Sequence, residues 1–295
     1  MKKQGNSRLA DHYRVKDPDS FRLKSVDPAD RDRLESEDVA ADRLADGIKR
    51  LADLQDKLYA AHRWSMLIVI QAMDAAGKDS TIKHVMSGVN PQGVSVTSFK
   101  QPSAEELDHD FLWRCNEHLP ESGDITIFNR SYYEEVLVVR VHPEFLGAQH
   151  LPESVLGKDL WKDRYQDIRN WERHLTRNGV VIRKFFLHVS KAEQKRRFLA
   201  RLDQPDKNWK FSAADLAERA HWKDYMRAYE EMIQETSTDF APWYVVPADH
   251  KWFTRLVVAE AVVHALEGLN LQYPVLDAKH KRELAAVRRA LLKQG

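Results

Sequence analysis

The stretch MLIVIQAMDAAGKDSTI, residues 66–82, passes from an unbroken apolar run through small residues to a Gly-Lys pair, then into a helix-like IKHVM. The run 66–71 reads as a strand of a parallel sheet covered on both faces, where alternation is not required. Set against G-x-x-x-x-G-K-[ST], the loop has Ala72 for the first glycine, Gly77-Lys78 in place, and Asp79 where a hydroxyl residue is expected. It is a degenerate P-loop. Ala75, Ala76 and Gly77 are small enough for backbone amides to wrap phosphate oxygens, the helix start adds its positive dipole end, and Lys78 supplies a point charge. Asp79, Ser80 and Thr81 offer the oxygen that the standard motif places on a metal. Asp74 inside the loop would repel phosphate unless a cation lay between, which points to Mg²⁺ at this carboxylate, with Mn²⁺ as the alternative ion.

Outward from this loop, further strands are expected at 94–99, 125–128, 180–189 and 243–247, separated by helix-like stretches at 104–118, 161–177 and 215–235. Five strands with helical crossovers imply a doubly wound parallel sheet, with helices on both faces. Ahead of it, Leu44, Ile48, Leu51, Leu54 and Leu58 recur at helical spacing and predict a long amphipathic helix over 39–62. Residues 1–30 are polar, carry Pro18 and Pro28, and read as an extended arm. A helix over 251–266 closes the core, and 278–293 predicts a final amphipathic helix. The expected organisation is an arm and helix (1–62), a core (63–268) and a C-terminal helix (269–295).

In such a sheet, ligands sit beyond the carboxyl ends of the strands. The third strand ends in IFNRSYYEE, residues 127–135, placing Asn129 where hydrolysing P-loop proteins carry an acidic metal ligand. Arg130 beside it is suited to bridging phosphates, with a salt bridge to Glu134 or Glu135 as the structural alternative. Between 183 and 210 nine basic residues face three acidic ones. In a P-loop fold a basic helix after the fourth strand is where a lid closes over phosphates, here about 190–225. Cys115 and His118 have ligand-like spacing, but no second pair supports zinc. His109, His142, His150, His221 and His250 form no triad, and the eight tryptophans read as packing.

The 295 residues, 43% hydrophobic and 31% charged with mean hydropathy −0.59, suit a soluble globular chain rather than a disordered or fibrous one. Lys and Arg number 46 against 45 Asp and Glu, so a polyanion must be met by a local patch, and no nucleic-acid-binding element is recognisable. One cysteine excludes an intrachain disulfide. No run approaches a membrane span and no signal peptide is evident, so the cytoplasm is expected.

The ordered blocks MDAAGKDSTI, VNPQG, SFKQPSAEELDHDFLWR, IFNRSYYEEVLVVRVH, KFFLHVSKAEQKRRFLARLDQPDKNWKFS and APWYVVPADHKWFTRL resemble the polyphosphate kinase 2 family, nucleotide kinases that use inorganic polyphosphate. The resemblance runs from about 64 to 266, and FNRSYYEEVLVVRVH with GKDST is most similar to the family's third class, which accepts nucleoside mono- and diphosphates. It implies an α/β, P-loop kinase-like three-layer sandwich: a five-stranded parallel sheet with a helical lid. Asp74 and Lys78 then match the phosphate-loop acid and lysine, and Arg130 the arginine after the third strand. Arg197 and Arg201 match the lid arginines, and Lys207 and Lys210 the P-x-K-x-W-K element. Asn129 departs from the Asp of many members and agrees with the third class. Glu134 and Glu135 become candidates to hold metal or water near the acceptor nucleotide, and Lys100 to line the polyphosphate channel.

The implied activity is Mg²⁺-dependent, reversible transfer of the terminal phosphoryl group of polyphosphate to ADP and to AMP, with ATP as product and GDP and GMP as further acceptors. No nucleic acid or membrane partner is expected, and the family together with the long N-terminal helix suggests a homodimer or homotetramer. The P-loop alone also permits an ATP-dependent nucleotide kinase. Asn129 and Asp79 leave open a non-catalytic polyphosphate sensor.

Overall fold

The computed structural model describes residues 9–32, 34, 36–210 and 213–294, with only the backbone described for 207, 209, 210, 213 and 214. The strands are β1 (Ser65–Gln71), β2 (Val94–Ser98), β3 (Ile125–Asn129), β4 (Val180–His188) and β5 (Trp243–Pro247). Around them lie α1 (Leu9–His12), α2 (Glu37–Ala61), α3 (Lys78–Val85), α4 (Ala104–Leu107), α5 (Trp113–Asn116), α6 (Glu134–Val141), α7 (Leu160–Arg177), α8 (Lys191–Leu202), α9 (Ala213–Ala220), α10 (Trp222–Thr236), α11 (Lys251–Glu267) and α12 (Ala278–Leu291). All five strands are parallel, in the order β2-β3-β1-β4-β5. One face carries α2, α3 and α11; the other carries α6, α7 and α10. This is the expected three-layer α/β sandwich.

β1 is buried at every position because it sits at the centre of the sheet under both layers, which is why its interior, Met66 to Ile70, is continuously apolar between the buried polar ends Ser65 and Gln71. The chain leaves β1 for α3 on one face and leaves β3 for α6 on the other. The carboxyl ends of these adjacent strands therefore flank a topological switch point, where a crevice opens. Ile70 lies beside Asn129 in the register, so the two loops that follow emerge side by side.

Three expectations need correction. The stretch 104–118 is two short helices: α4 starts on a Ser103–Glu106 capping box, and Asp110 then draws its side chain onto the Leu112 amide at 2.9 Å, an aspartate turn that competes with helix. The stretch 215–235 is likewise broken at His221, between α9 and α10. Within the described part of the N-terminal arm, the chain is docked rather than simply extended. Val15 N donates to the Trp243 carbonyl at 2.9 Å and Val245 N to that of Tyr13 at 2.8 Å, so the arm covers the free edge of β5 while Leu9, Ala10 and Tyr13 join the core. Among the described residues, no helix is long and apolar enough to cross a membrane.

Candidate active site

The loop after β1 turns through two left-handed residues, Ala75 (φ 62°) and Gly77 (φ 113°), before α3 begins at Lys78. Gly77 is demanded by backbone angle and not by space, since a Cβ there would meet nothing closer than the Arg197 side chain at 3.8 Å. The turn sets Ala75, Gly77, Lys78, Asp79 and Ser80 into the wall of a cavity of about 940 Å³. Ala76 and Thr81, expected at phosphate, are instead buried behind the loop and line no part of it. The Ala76 amide closes a turn onto the Met73 carbonyl at 3.2 Å, and Thr81 faces the core.

Lys78 folds its ammonium onto the Ala72 carbonyl at 2.9 Å. Burial pulls its pKa below the usual lysine range, with the Asp74 carboxylate opposing that shift. Arg130 enters from the loop after β3. It holds φ 64°, a costly angle for a residue with a Cβ, fixed by its amide donating to the Ile70 carbonyl at 3.1 Å. Its guanidinium lies 3.0 Å from Asp74 and 3.8 Å from Glu134, and the Glu134 charge above all raises its pKa. Glu134 is pushed up by burial against the pull of Arg130 and Lys78. Asp74, Lys78, Arg130 and Glu134 thus form one alternating-charge cluster at the switch point, as two cations and two carboxylates drawn from two adjacent loops.

Asn129 donates from Nδ2 to Asp79 at 2.8 Å, while its Oδ1 is buried with no hydrogen-bond partner. Among the described residues no group of three or more His, Cys, Asp or Glu side chains gathers as a metal cage. Mg²⁺ does not require one, because it keeps several waters and takes one or two carboxylates plus substrate phosphates. The Asp74 carboxylate and the uncommitted Asn129 oxygen fit that demand.

The basic helix α8 borders the same cavity, but its arginines differ. Arg201 lines it, with its guanidinium 3.9 Å from Asp215. Arg197, only 6% exposed, spends all five of its N–H donors: on Glu193, and on the carbonyls of Ala75, Ala76, Ala248 and Asp249, at 2.6–3.1 Å. Arg197 also lines the cavity, and in this arrangement its N–H groups are committed to the loop, so contact with a phosphate would require it to release one of these carbonyls or Glu193. Lys207 and Lys210 fall in a 3-10 turn, and their side chains lie outside the described residues. Ser98, Gln101, Arg196 and Lys251 also line the cavity and were not anticipated. Lys251 could have been found, because it follows the carboxyl end of β5 and so obeys the rule that singled out the other loops.

A second cavity of about 300 Å³ adjoins the first, sharing Lys100, Gln101 and Arg130 with it. Phe111, Val138 and Phe145 give it apolar walls, and Glu134 and Glu135 lie on its polar side. Glu135, expected near nucleotide or metal, is 6% exposed and committed to Arg164 at 3.2 Å and to the Gln149 amide at 2.8 Å. Glu134 is the available carboxylate there. Cys115 is buried, its thiol pushed up to about 12 by that burial, as suits a packing role.

Comparison with known proteins follows the same lines. The family model "Polyphosphate kinase 2 (PPK2)" matches residues 34–274. The ADP-polyphosphate phosphotransferase of Rhodopseudomonas palustris is 54% identical over 260 residues, covering 88% of this chain and 90% of that protein. The AMP/ADP-polyphosphate phosphotransferase of Meiothermus ruber is 46% identical over 263 residues, covering 89% and 94%. A crystal structure of polyphosphate kinase 2 from Arthrobacter aurescens TC1 superposes with a TM-score of 0.85 at 41% identity, covering 94% of this chain and 96% of that one. With the family model matched over residues 34–274 and these relatives matched over most of their own length, the chain belongs to the polyphosphate kinase 2 family.

Proposed function

We propose that this protein is a phosphotransferase that moves the terminal phosphoryl group of inorganic polyphosphate onto ADP and AMP, reversibly and with Mg²⁺. The observation that carries the reading is the meeting of two unlike cavities at Arg130. The larger one, around the P-loop and α8, is lined by Lys78, Arg196, Arg201 and Lys251 and is wide enough for a run of phosphates. The smaller one, with aromatic and aliphatic walls, suits a nucleoside whose phosphate reaches back toward Arg130 and Lys100. The names of the Rhodopseudomonas and Meiothermus relatives support polyphosphate as donor and adenine nucleotides as acceptors. A GDP-polyphosphate phosphotransferase of Pseudomonas aeruginosa, 32% identical over 237 residues, supports guanine nucleotides as further acceptors.

The acceptor oxygen of a nucleotide phosphate is already ionised at neutral pH, so no general base is needed and catalysis reduces to alignment and charge neutralisation. Lys78 leaves the Ala72 carbonyl to meet a donor phosphate. Arg130, at the junction, exchanges its Asp74 contact for the phosphoryl group in transfer and stays oriented by Glu134. Asp74, with the Asn129 oxygen and water held by Glu134, would hold Mg²⁺, which supplies charge neutralisation at the phosphates. Arg201, with Lys207 and Lys210, would close over the donor chain.

The test is luciferase-detected ATP formation from long-chain polyphosphate with ADP or AMP, beside an EDTA control and an ATP-plus-AMP reaction. Chelator-sensitive ATP from polyphosphate supports the reading, and product from AMP supports acceptance of monophosphates. Transfer from ATP alone would make the protein an ordinary nucleotide kinase, and binding without transfer a sensor. The homodimer or homotetramer is proposed alongside, since α12 leaves Leu284, Val287 and Leu291 exposed; light scattering in solution checks it.

A further inference from the structure

Three successive carbonyls of the phosphate loop, those of Asp74, Ala75 and Ala76, are held by two side chains of α8. Gln194, 1% exposed, donates from Nε2 to the Asp74 carbonyl at 3.0 Å, and Arg197 donates to the other two at 3.0 and 2.7 Å. Every peptide bond described is trans, so each carbonyl points opposite to the amide that follows it. Pinning these carbonyls toward α8 turns the amides of Ala75 and Gly77 the other way, as an anion-binding loop requires.

The two residues differ in what lies behind them. Arg197 ends on carbonyls and on Glu193 of its own helix, and is a fixed brace. Gln194 has a second partner: its Oε1 accepts from Arg219 Nη1 at 2.6 Å, and Arg219 sits on α9, beyond the 3-10 turn, with its guanidinium 5.8 Å from the Trp222 ring. An amide is the chemistry this place needs. A carboxylate could accept from Arg219 but not donate to a carbonyl, and an amine could donate but not accept. Moreover, the carbonyl it holds belongs to Asp74, whose carboxylate faces Arg130 across the site.

We propose that Gln194 is a positioning residue, and that Arg219–Gln194–Asp74 is a relay by which the seating of α9 against α8 sets the phosphate loop. With α9 seated, the guanidinium orients the amide and the amide holds the Asp74 peptide. With α9 lifted, the amide is free to turn and that peptide loosens. The relay rests on the phosphotransfer reading only for its kinetic arm.

The experiment compares Arg219→Met, Gln194→Glu, Gln194→Met and the double variant Arg219→Met/Gln194→Met, by hydrogen exchange over residues 72–80 and by initial rates with polyphosphate and ADP. Arg219→Met, a change on another element, should raise exchange in the phosphate loop and lower kcat by about tenfold, the order of one charge-assisted hydrogen bond, with KM for ADP within twofold. Gln194→Glu, which keeps the Arg219 contact and loses the Asp74 one, should raise loop exchange as well. Adding Arg219→Met to Gln194→Met should change kcat by less than about twofold, because the relay is already cut. Wild-type exchange in the loop of Arg219→Met, or rate effects that multiply in the double variant, would overturn the relay. Failure of the wild type to transfer from polyphosphate would remove the functional reading instead, and the exchange measurement would still decide the relay.

Discussion

Replacing Glu172 with Gln should strand a charge in the middle of the protein. Glu172 on α7 and Lys184 on β4 are each 0% exposed and 2.7 Å apart, and the carboxylate also accepts from the hydroxyls of Tyr132 and Tyr133, both at 2.7 Å. Lys184 completes its own shell on the Thr236 carbonyl and the Tyr133 oxygen. In the Gln variant the carboxylate charge that pairs with the ammonium is lost, and an NH₂ group must either face that ammonium or force the two phenols to give up their donation. Breaking a buried pair by losing one partner costs about 3–5 kcal/mol, which for a chain of this size lowers Tm by about 5–8 °C. Lys184→Met should cost a similar amount. Glu172→Gln combined with Lys184→Met should cost less than the sum of the singles, because no unpaired charge is left in the core. Since Tyr132 and Tyr133 follow Arg130 by two and three residues, the single variants should also lower kcat by loosening the Arg130 loop. Urea unfolding followed by circular dichroism, with initial rates on the same preparations, measures both. Single variants that cost under about 1 kcal/mol, or a strictly additive double, would mean that the pair does not carry a buried, mutually compensated charge.

Lys78→Met and Arg130→Met should each lower kcat by about 10²–10³ with an unchanged thermal melt, since each removes a cation aimed at developing charge; near-wild-type rates would remove the residue from the site. His188, 7% exposed, is pushed down to about 4 by burial, whereas the unfolded chain takes up this proton near pH 6.5. Between those values the unfolded state binds more protons, so stability falls as pH falls, by up to about 3 kcal/mol across the window. His188→Gln should flatten that slope in urea midpoints taken at about pH 7, 5.5 and 4.5, and an unchanged slope would contradict it. Chelation should abolish transfer and excess Mg²⁺ should restore it, with Mn²⁺ substituting; turnover in chelator would rule out the cation at Asp74.

The elements legible in the sequence are those whose pattern follows from burial. The central strand is continuously apolar over 66–70 because it lies under two helical layers, and the adjacent loops carrying Asp74, Lys78, Asn129 and Arg130 could be placed together from the strand order such folds adopt. What stayed hidden are side chains whose meaning depends on which way a helix faces. Arg196, Arg197 and Arg201 look alike in a basic run, yet Arg197 is a saturated brace on the loop while Arg196 pairs with Glu193 at the surface. Gln194 carries no sequence signal at all. Glu135 looks equivalent to Glu134, and only the fold turns it toward Arg164. The Glu172–Lys184 pair did leave a trace, since a lysine inside the strand VVIRKFFLH must find a buried partner or a way to water. The helix break at 108–110 was equally available, because aspartates favour turns over helix interiors.

In the proposed reaction, phosphoryl groups pass directly from polyphosphate in the large cavity to a nucleotide in the small one. The most direct measurement uses ³²P-labelled long-chain polyphosphate with unlabelled ADP, and with unlabelled AMP, counting label in the separated nucleotides with and without Mg²⁺. Direct transfer places label in the terminal phosphate of ATP made from ADP, and this label is lost in Lys78→Met and Arg130→Met. Unlabelled nucleotides at the end of a reaction in which the protein binds polyphosphate would contradict it.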